Sequence, residues 1–215
     1  MTAVSIKYNG RMCNKILQYL MGQYVAEKYN LVFENSLPEE LGLNKIFKVK
    51  KYSGNNSYSN VELLCDANQV SFLSRDSFNS NVHLDGFFQE PSILKNPELI
   101  SKYKEYLKPI NNQKIDDVFV HVRLGDVYNS RMHLPYEYYD NTLEKINFNS
   151  GVVASDSLDN DIVKKLCDKF NLKPLDKSPL QTIYYGMRCK NLVLSHGSFS
   201  FVSAFFSEGS NKYYI

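Results

Sequence analysis

The sequence predicts an α/β protein in which helices cover parallel β-sheets, and three observations support this fold class. Strand and helix patterns alternate from residue 117 onwards, which is typical of β-α-β units. The strand at Val118–Val120 is an uninterrupted apolar run, as expected when both faces of a sheet are covered. An alternating strand over 3–8, an Asn9-Gly10 turn and an amphipathic helix over 14–28 repeat the same order of elements near residue 1.

A polar segment divides the predicted elements into two groups. A helix predicted over 92–107 ends before Pro109-Ile110-Asn111-Asn112, because proline and asparagine interrupt helices and mark linkers. We therefore expect two domains, residues 1–110 and residues 111–215. The first has further strands predicted at 31–33, 45–52, 61–65 and 82–84, with a loop at 54–57. The second has, in order, strand 117–122, helix 136–146, strand 151–155, helices 160–170 and 180–189, strand 191–195 and helix 198–207.

The composition is that of an ordinary soluble globular protein and argues against several functions. The 215 residues are 43% hydrophobic and 22% charged, and the net charge of +2 is too small to predict nucleic-acid binding. The four cysteines form no C-x-x-C pair, and with four histidines nothing has the spacing of a zinc site. No signal-peptide core and no apolar run of about 18 residues is present, so we expect a cytoplasmic protein with reduced thiols.

The hexamer His121-Val122-Arg123-Leu124-Gly125-Asp126 directly follows the apolar strand. Open parallel sheets bind ligands beyond the carboxyl ends of their strands, and Arg123 falls at such an end. Its planar guanidinium stays charged and matches a phosphate group, while Gly125 allows the backbone to turn. Strand alternation puts His121 on the same face as Arg123. The alternative is that Arg123 only ends the strand in a surface ion pair with Asp126.

Two other strand ends carry polar residues that are expected at the same edge. Ser198 and Ser200 follow the last strand at the start of an apolar helix, whose free N–H groups attract anions. The alternative for Ser198 is a simple N-cap. Asp156 follows the strand over 151–155, where it suits a guanine edge or a ribose, or else the cap of the next helix. We therefore expect a diphosphate site between Arg123 and the last helix.

The N-terminal domain has one candidate turn of its own, Gly10-Arg11-Met12-Cys13-Asn14. A cation and an amide beside a helix start suit sugar hydroxyls or phosphate, so Gly10, Arg11 and Asn14 are candidate binding residues. The turn lacks the G-x-G-x-x-G pattern of dinucleotide sites, and an ordinary tight connection is the alternative.

Four motifs in the same order resemble those of a known enzyme family. The segment from Gly10 to Lys15 is similar to G-x-x-N-Q, with Lys15 in place of Gln, and Gly86-Phe87-Phe88-Gln89 is similar to G-Y-F-Q. The hexamer matches H-x-R-x-G-D, and Ser195 to Phe201 is similar to N-S-S-F-S-W-W without its tryptophans. Together they resemble the α-1,2-fucosyltransferases of glycosyltransferase family 11 and, more loosely, the wider fucosyltransferase group.

The resemblance implies a fold and a reaction. The fold is α/β and GT-B-like, with two compact Rossmann-like domains that have parallel sheets, an acceptor-side domain at 1–110 and a donor domain at 111–215. The reaction is an inverting, metal-independent transfer of fucose from GDP-fucose to a sugar hydroxyl of a glycan, with α-1,2 linkage and no cofactor.

The resemblance also implies roles for residues of the second domain. Arg123 holds the pyrophosphate and His121 contacts the nucleotide. Asp156 contacts the guanine or the ribose. The substrate-binding motif Ser198-Phe199-Ser200 completes the phosphate shell through its two hydroxyls.

An inverting transfer also needs a group that accepts the proton of the acceptor hydroxyl. Asp126, Glu90 and His133 are candidates for this base. Asp126 belongs to the hexamer, but it is also placed to orient Arg123. The leaving phosphate is a further alternative.

Two other classes of function stay open at this point. One is a related transferase that uses GDP-mannose or a rhamnose donor, and the other is a non-catalytic protein that binds a nucleotide or a carbohydrate. The expected partners are a nucleotide-sugar donor and a glycan acceptor, with no nucleic acid. By analogy with bacterial surface-polysaccharide synthesis, we also expect a peripheral contact with the inner membrane. The sequence leaves the oligomeric state open.

Overall fold

The computed structural model describes residues 2–34, 60–106, 114–208 and 210–214. The chain forms two compact units, Met1–Ile110 and Asn111–Ile215. The strand and the loop predicted at 45–52 and 54–57 lie outside the described residues. Within the described ranges, no helix combines the length and the apolar character that a bilayer span requires.

The first unit is built on a four-stranded parallel sheet. Its elements are β1 (Ala3–Ile6), α1 (Met12–Lys28), β2 (Val32–Phe33), β3 (Val61–Leu64), α2 (Gln69–Leu73), β4 (Asn81–Leu84), α3 (Pro91–Leu94) and α4 (Pro97–Glu105). The strands lie in the order β2-β1-β4-β3, and each neighbouring pair is parallel. Helix α1 packs on β1 and β2, where Gly22 allows a close approach to Ile6 and Phe33. The carboxyl ends of the strands therefore meet at one edge.

The helix predicted over 92–107 is two helices in the structure, so that prediction is wrong in this respect. The side chain of Asn96 accepts hydrogen bonds from the amides of Glu98 and Leu99 and caps α4. Pro97 occupies the first turn of α4, a position where its missing N–H costs nothing. Because proline restricts the residue before it to extended backbone, one continuous helix cannot pass through Asn96.

The second unit is built on a five-stranded parallel sheet. Its elements are β5 (Ile115–Val122), α5 (Gly125–Tyr128), α6 (Tyr136–Leu143), β6 (Ser150–Ser155), α7 (Asp161–Phe170), β7 (Lys173–Pro174), α8 (Pro179–Arg188), β8 (Cys189–Leu194), α9 (Ser198–Phe206) and β9 (Asn211–Tyr213). The strands lie in the order β7-β6-β5-β8-β9, and each neighbouring pair is parallel. Strand β5 is central, so its end lies in the middle of the ligand-facing edge.

Two hydrophobic clusters cover the two faces of this sheet. Val118, Val120 and Val122 of β5 belong to a cluster that contains residues of α6 and α7. Phe119 belongs to the other cluster, against which residues of α8 and α9 pack. The continuous apolar run of β5 is therefore explained by burial on both faces, as the sequence predicts.

The sequence analysis missed several short elements and extended one helix too far. Helices α2 and α5 and strands β7 and β9 have two to five residues, too few to produce a periodic pattern. Helix α6 ends at Leu143 rather than at residue 146.

Candidate functional site

Strand alternation directs His121 in β5, and Arg123 just beyond its end, towards α9. Phe119 packs with the α8 and α9 cluster, and His121, two residues later, lies against Phe199 of α9 with ring centroids 4.6 Å apart. Arg123 is the next residue on this face, and its guanidinium reaches Gly197 at the start of α9. The hexamer and the last helix, which are far apart in the sequence, therefore meet in space.

The guanidinium of Arg123 is held from one side by Asp126. Its Nη2 lies 3.1 Å from Oδ2 of Asp126, and its Nε lies 3.4 Å from Oδ1. Its Nη1 lies on the other side, where a Cβ added at Gly197 would overlap it. Side-chain exposure is 29% for Arg123 and 44% for Asp126, so the pair is accessible to a ligand from solvent. The ion pair that the sequence suggested as an alternative is present, and it leaves Nη1 beside α9.

Asp156 occupies the end of β6 next to this turn. Its Oδ1 accepts hydrogen bonds from the amides of Leu124, at 2.8 Å, and of Gly125, at 2.9 Å. A Cβ added at Gly125 would overlap Oδ2 of Asp156. Asp156 does not cap α7, because the side chain of Asn160 does so by accepting from the amide of Ile162. The helix-cap alternative for Asp156 is therefore wrong.

Helix α9 begins without a side-chain cap. Its N-cap residue is Gly197, with φ of +97°, and no side chain accepts from its first-turn amides within the described part of the chain. The alternative of a simple N-cap at Ser198 is therefore wrong, since Ser198 is the first residue of the helix itself. The first N–H groups of a helix lack partners inside the helix and attract negative charge. The start of α9 lies beside the guanidinium of Arg123, and a cation next to such N–H groups suits an anion.

His121 and Ser200 form a buried pair below this opening. Nδ1 of His121 lies 2.7 Å from Oγ of Ser200, and the residues are 7% and 3% exposed. Burial lowers the pKa of His121 to about 4, the nearby charge of Asp156 opposes this, and Arg123 adds to it. His121 is therefore neutral at ordinary pH. The hydroxyl of Ser200 is engaged with His121, so the residue can offer its backbone N–H to a ligand more readily than its side chain.

A second histidine, which the sequence analysis did not select, lies at the same edge. His196 follows β8, and its Nε2 hydrogen-bonds to the carbonyl of Met132 in the loop before α6. In that loop His133 packs against Tyr128, with ring centroids 4.8 Å apart. Apart from its place just after β8, nothing in the sequence around His196 indicates this contact. Its partner Met132 is 64 residues away, so periodicity could not reveal it.

The first unit has a separate cluster of amide side chains at its own sheet edge. Gly10 has φ of +75°, and the side-chain amide of Asn14 lies over its Cα face. Oδ1 of Asn14 accepts a hydrogen bond of 2.9 Å from Nε2 of Gln89. Arg11 is exposed and is the N-cap residue of α1. Of the predicted binding residues here, Asn14 therefore contacts the Gly86–Gln89 segment.

A carboxylate also fixes this segment. Asp66 accepts hydrogen bonds from the amides of Phe87, at 2.9 Å, and of Phe88, at 2.6 Å. Phe88 is fully buried and has φ of +56°, a left-handed conformation that non-glycine residues rarely adopt. Phe87 is 44% exposed. The remaining candidate base in this unit, Glu90, accepts a hydrogen bond from the hydroxyl of Ser92.

No group of three or more His, Cys, Asp or Glu side chains with metal-binding geometry occurs among the described residues. The four cysteines, Cys13, Cys65, Cys167 and Cys189, are free.

Comparison with known proteins identifies the fold. No family model and no curated protein sequence matches the chain. Among solved structures, POFUT1 in complex with GDP has a TM-score of 0.60 at 10% identity, covering 100% of this chain and 98% of its own. NodZ α-1,6-fucosyltransferase, co-crystallised with GDP, has a TM-score of 0.60 at 10% identity, covering 94% and 91%. A FUT1 mutant of Arabidopsis thaliana in complex with GDP has a TM-score of 0.58 at 12% identity, covering 99% and 70%.

These similarities confirm the predicted fold class. The chain is an α/β protein with two Rossmann-like units that have parallel sheets, and its fold is that of GT-B fucosyltransferases. At identities of 10–12% the comparison identifies the fold, and the function has to be argued from the site.

Proposed function

We propose that this chain is an inverting glycosyltransferase that moves fucose from GDP-fucose to a hydroxyl group of a glycan. One observation carries the proposal: the guanidinium of Arg123 lies beside the uncapped start of α9. A fixed cation and a set of free N–H groups at one place are suited to a diphosphate. The neighbouring folds were solved with GDP or GDP-fucose, which supports the same ligand class.

In this reaction, the largest catalytic task is to stabilise the leaving diphosphate, and it falls to Arg123 and the start of α9. When the bond between the sugar and the diphosphate breaks, negative charge grows on the leaving phosphate. Fixed donors stabilise that charge without having to reorganise, and they are usually the largest single contribution to such a reaction. Arg123 and the amides of the first turn of α9 supply these donors, and the sheet and helix hold them in place.

Asp126 orients Arg123 in this proposal. Its carboxylate already contacts Nε and Nη2 of the guanidinium, and this contact leaves Nη1 on the side of α9. We therefore propose that Asp126 orients the guanidinium of Arg123 and does not remove the proton from the acceptor hydroxyl. In an inverting displacement the acceptor attacks from the face opposite the departing phosphate, so another group takes the acceptor proton, and Glu90 and His133 are the remaining candidates.

In this proposal, side chains of the first unit bind the hydroxyl groups of the acceptor sugar. Asn14 and Gln89 together present an amide donor and an amide acceptor beyond their mutual hydrogen bond, and Arg11 is exposed at the same turn. Such neutral polar groups bind sugar hydroxyls, and the exposed ring of Phe87 suits an apolar sugar face. The α-1,2 linkage of the product rests on the motif resemblance to family 11.

The experiment measures GDP released by the purified chain from GDP-fucose with a panel of glycan acceptors, with and without EDTA. We expect release that depends on acceptor and persists in EDTA, because cationic side chains and backbone amides neutralise the leaving group. GDP binding without release for every acceptor would show a non-catalytic protein. Faster release of GDP from GDP-mannose, or of dTDP from a dTDP-rhamnose donor, would show a different sugar, and the anomeric configuration of the product tests inversion.

A further inference from the structure

The turn that carries Arg123 is held by a carboxylate from the neighbouring strand. We propose that Asp156 is a positioning residue for phosphate binding, which fixes the backbone after Arg123 and thereby holds the guanidinium beside the start of α9. This inference rests on the proposed function. It gives Asp156 a different role from the guanine or ribose contact that the motif resemblance implies.

The contacts of Asp156 fix the backbone on the C-terminal side of Arg123. A single oxygen, Oδ1, accepts from the consecutive amides of Leu124 and Gly125. The side chain of Leu124 is fully buried in the core, which prevents the turn from rotating away. Charge-assisted hydrogen bonds of this kind are among the stronger ones in proteins. The residue directly after Arg123 therefore has little freedom.

The sheet fixes the N-terminal side of Arg123. Val122 pairs with Ser155 in the ladder between β5 and β6, and the carbonyl of His121 accepts a hydrogen bond of 3.1 Å from the amide of Ser195. The backbone of Arg123 is thus bracketed by the ladder before it and by Asp156 after it. A long side chain on a fixed backbone loses less entropy when it binds a ligand.

Gly125 is the steric complement of this arrangement. Its φ is not positive, so the reason for glycine is the space that Oδ2 of Asp156 occupies next to its Cα. An alanine there would overlap the carboxylate. The glycine of the hexamer is therefore required by Asp156, and the pair forms one unit that spans β5 and β6.

The first unit contains a matched arrangement that serves as a control. Asp66, after β3, accepts from the consecutive amides of Phe87 and Phe88 after the neighbouring strand β4. A Cβ at Gly86 would lie 3.0 Å from the backbone nitrogen of Asp66. The two arrangements differ in detail, because Asp66 accepts through both oxygens, Oδ2 from Phe87 and Oδ1 from Phe88. The residue before the bonded amides is Gly86 here, where the second unit has Arg123.

The test is a double-mutant cycle on GDP affinity, measured by calorimetry with the full chain. We expect Asp156→Ala to weaken GDP binding by on the order of tenfold, and Asp156→Asn by clearly less, because an amide oxygen can still accept both hydrogen bonds. In an Arg123→Ala background, Asp156→Ala should add almost nothing, since its effect passes through Arg123. A general loss of structure would weaken binding in both backgrounds.

Inosine diphosphate, which lacks the 2-amino group of guanine, separates positioning from base contact. If Asp156 positions Arg123, the ratio of GDP to inosine diphosphate affinity stays the same in Asp156→Ala. A ratio that collapses, or additive effects in the cycle, would overturn the inference.

Variants of the two glycines test the inference if Asp156→Ala folds poorly. Gly125→Ala keeps the carboxylate but crowds it, and should weaken GDP binding, whereas Gly86→Ala, in the turn that Asp66 holds, should not. Normal GDP binding by Gly125→Ala would also overturn the inference. Absence of GDP binding in the unmodified chain would instead refute the proposed function.

Discussion

In both units a carboxylate beyond one strand accepts hydrogen bonds from two consecutive amides beyond the neighbouring strand. In the second unit Asp156 fixes a turn whose preceding residue, Arg123, keeps a partly exposed guanidinium. In the first unit Asp66 fixes a turn that buries Phe88 completely in a left-handed conformation. We call each arrangement an amide clamp.

The difference between the clamps shows which of the two turns is suited to phosphate. The clamp at Asp66 holds a strained backbone that places an aromatic ring in the core, which is a contribution to stability. The clamp at Asp156 holds a cation at the edge where open parallel sheets bind their ligands. The same backbone device therefore serves packing in one unit and, in our proposal, phosphate binding in the other, and the residue beside the clamp decides between them.

The largest expected effect comes from the cation itself. Arg123→Ala should lower kcat/KM for GDP-fucose about a hundredfold, or about 3 kcal/mol of transition-state stabilisation, because the leaving diphosphate loses a fixed charge. Steady-state kinetics of GDP release measure this. Arg75→Ala, which removes a surface cation paired with Glu62 in the first unit, is the matched control and should leave the kinetics unchanged. Near-normal turnover by Arg123→Ala would show that Arg123 does not stabilise the leaving diphosphate.

The second effect distinguishes stability from binding. Asp66→Ala should lower the free energy of unfolding by about 2 kcal/mol, because two amides lose their acceptor and the left-handed backbone of Phe88 loses support. Urea unfolding measures the loss, and calorimetry should give an unchanged dissociation constant for GDP. If Asp66→Ala weakens GDP binding as much as Asp156→Ala does, the two clamps do not differ in the way proposed.

The smallest effect concerns the buried histidine beneath the site. His121 has a pKa of about 4 in the folded chain, chiefly because of burial, and about 6.5 when exposed. Between these values the unfolded chain takes up a proton that the folded chain does not. The stability that this group contributes is therefore complete above pH 6.5 and falls as the pH drops towards 4.

His121 should contribute a slope of at most about 1.4 kcal/mol per pH unit to the free energy of unfolding as a function of pH. Urea unfolding at several pH values between 4 and 7 measures it, and His121→Asn should remove that part of the slope. Identical pH dependence in the two proteins would mean that folding does not lower the pKa of His121, and the assignment of a buried neutral histidine would be wrong.

Much of the fold was readable from local pattern. The apolar run of β5 predicted a buried central strand, and alternation correctly placed His121 and Arg123 on one face. The starts of α4, α7 and α8 follow from capping side chains at Asn96, Asn160 and Ser178. The prediction of one helix over 92–107 ignored the break signal of Asn96-Pro97.

The contacts that build the site were not readable in this way. Whether Asp156 bonds the amides of Leu124 and Gly125 depends on β6 lying beside β5, which sequence order alone leaves open. The pairing of His121 with Ser200 spans 79 residues, and it depends on β8 being the other neighbour of β5. Residue types therefore indicated an anion site, while strand order decided which side chains face the ligand and which support others.

A crystal structure of the chain with GDP tests the central claim most directly. We expect diphosphate oxygens within about 3 Å of both the Arg123 guanidinium and the backbone amides at the start of α9. A GDP whose phosphates touch neither, with Arg123 still paired only to Asp126, would contradict it.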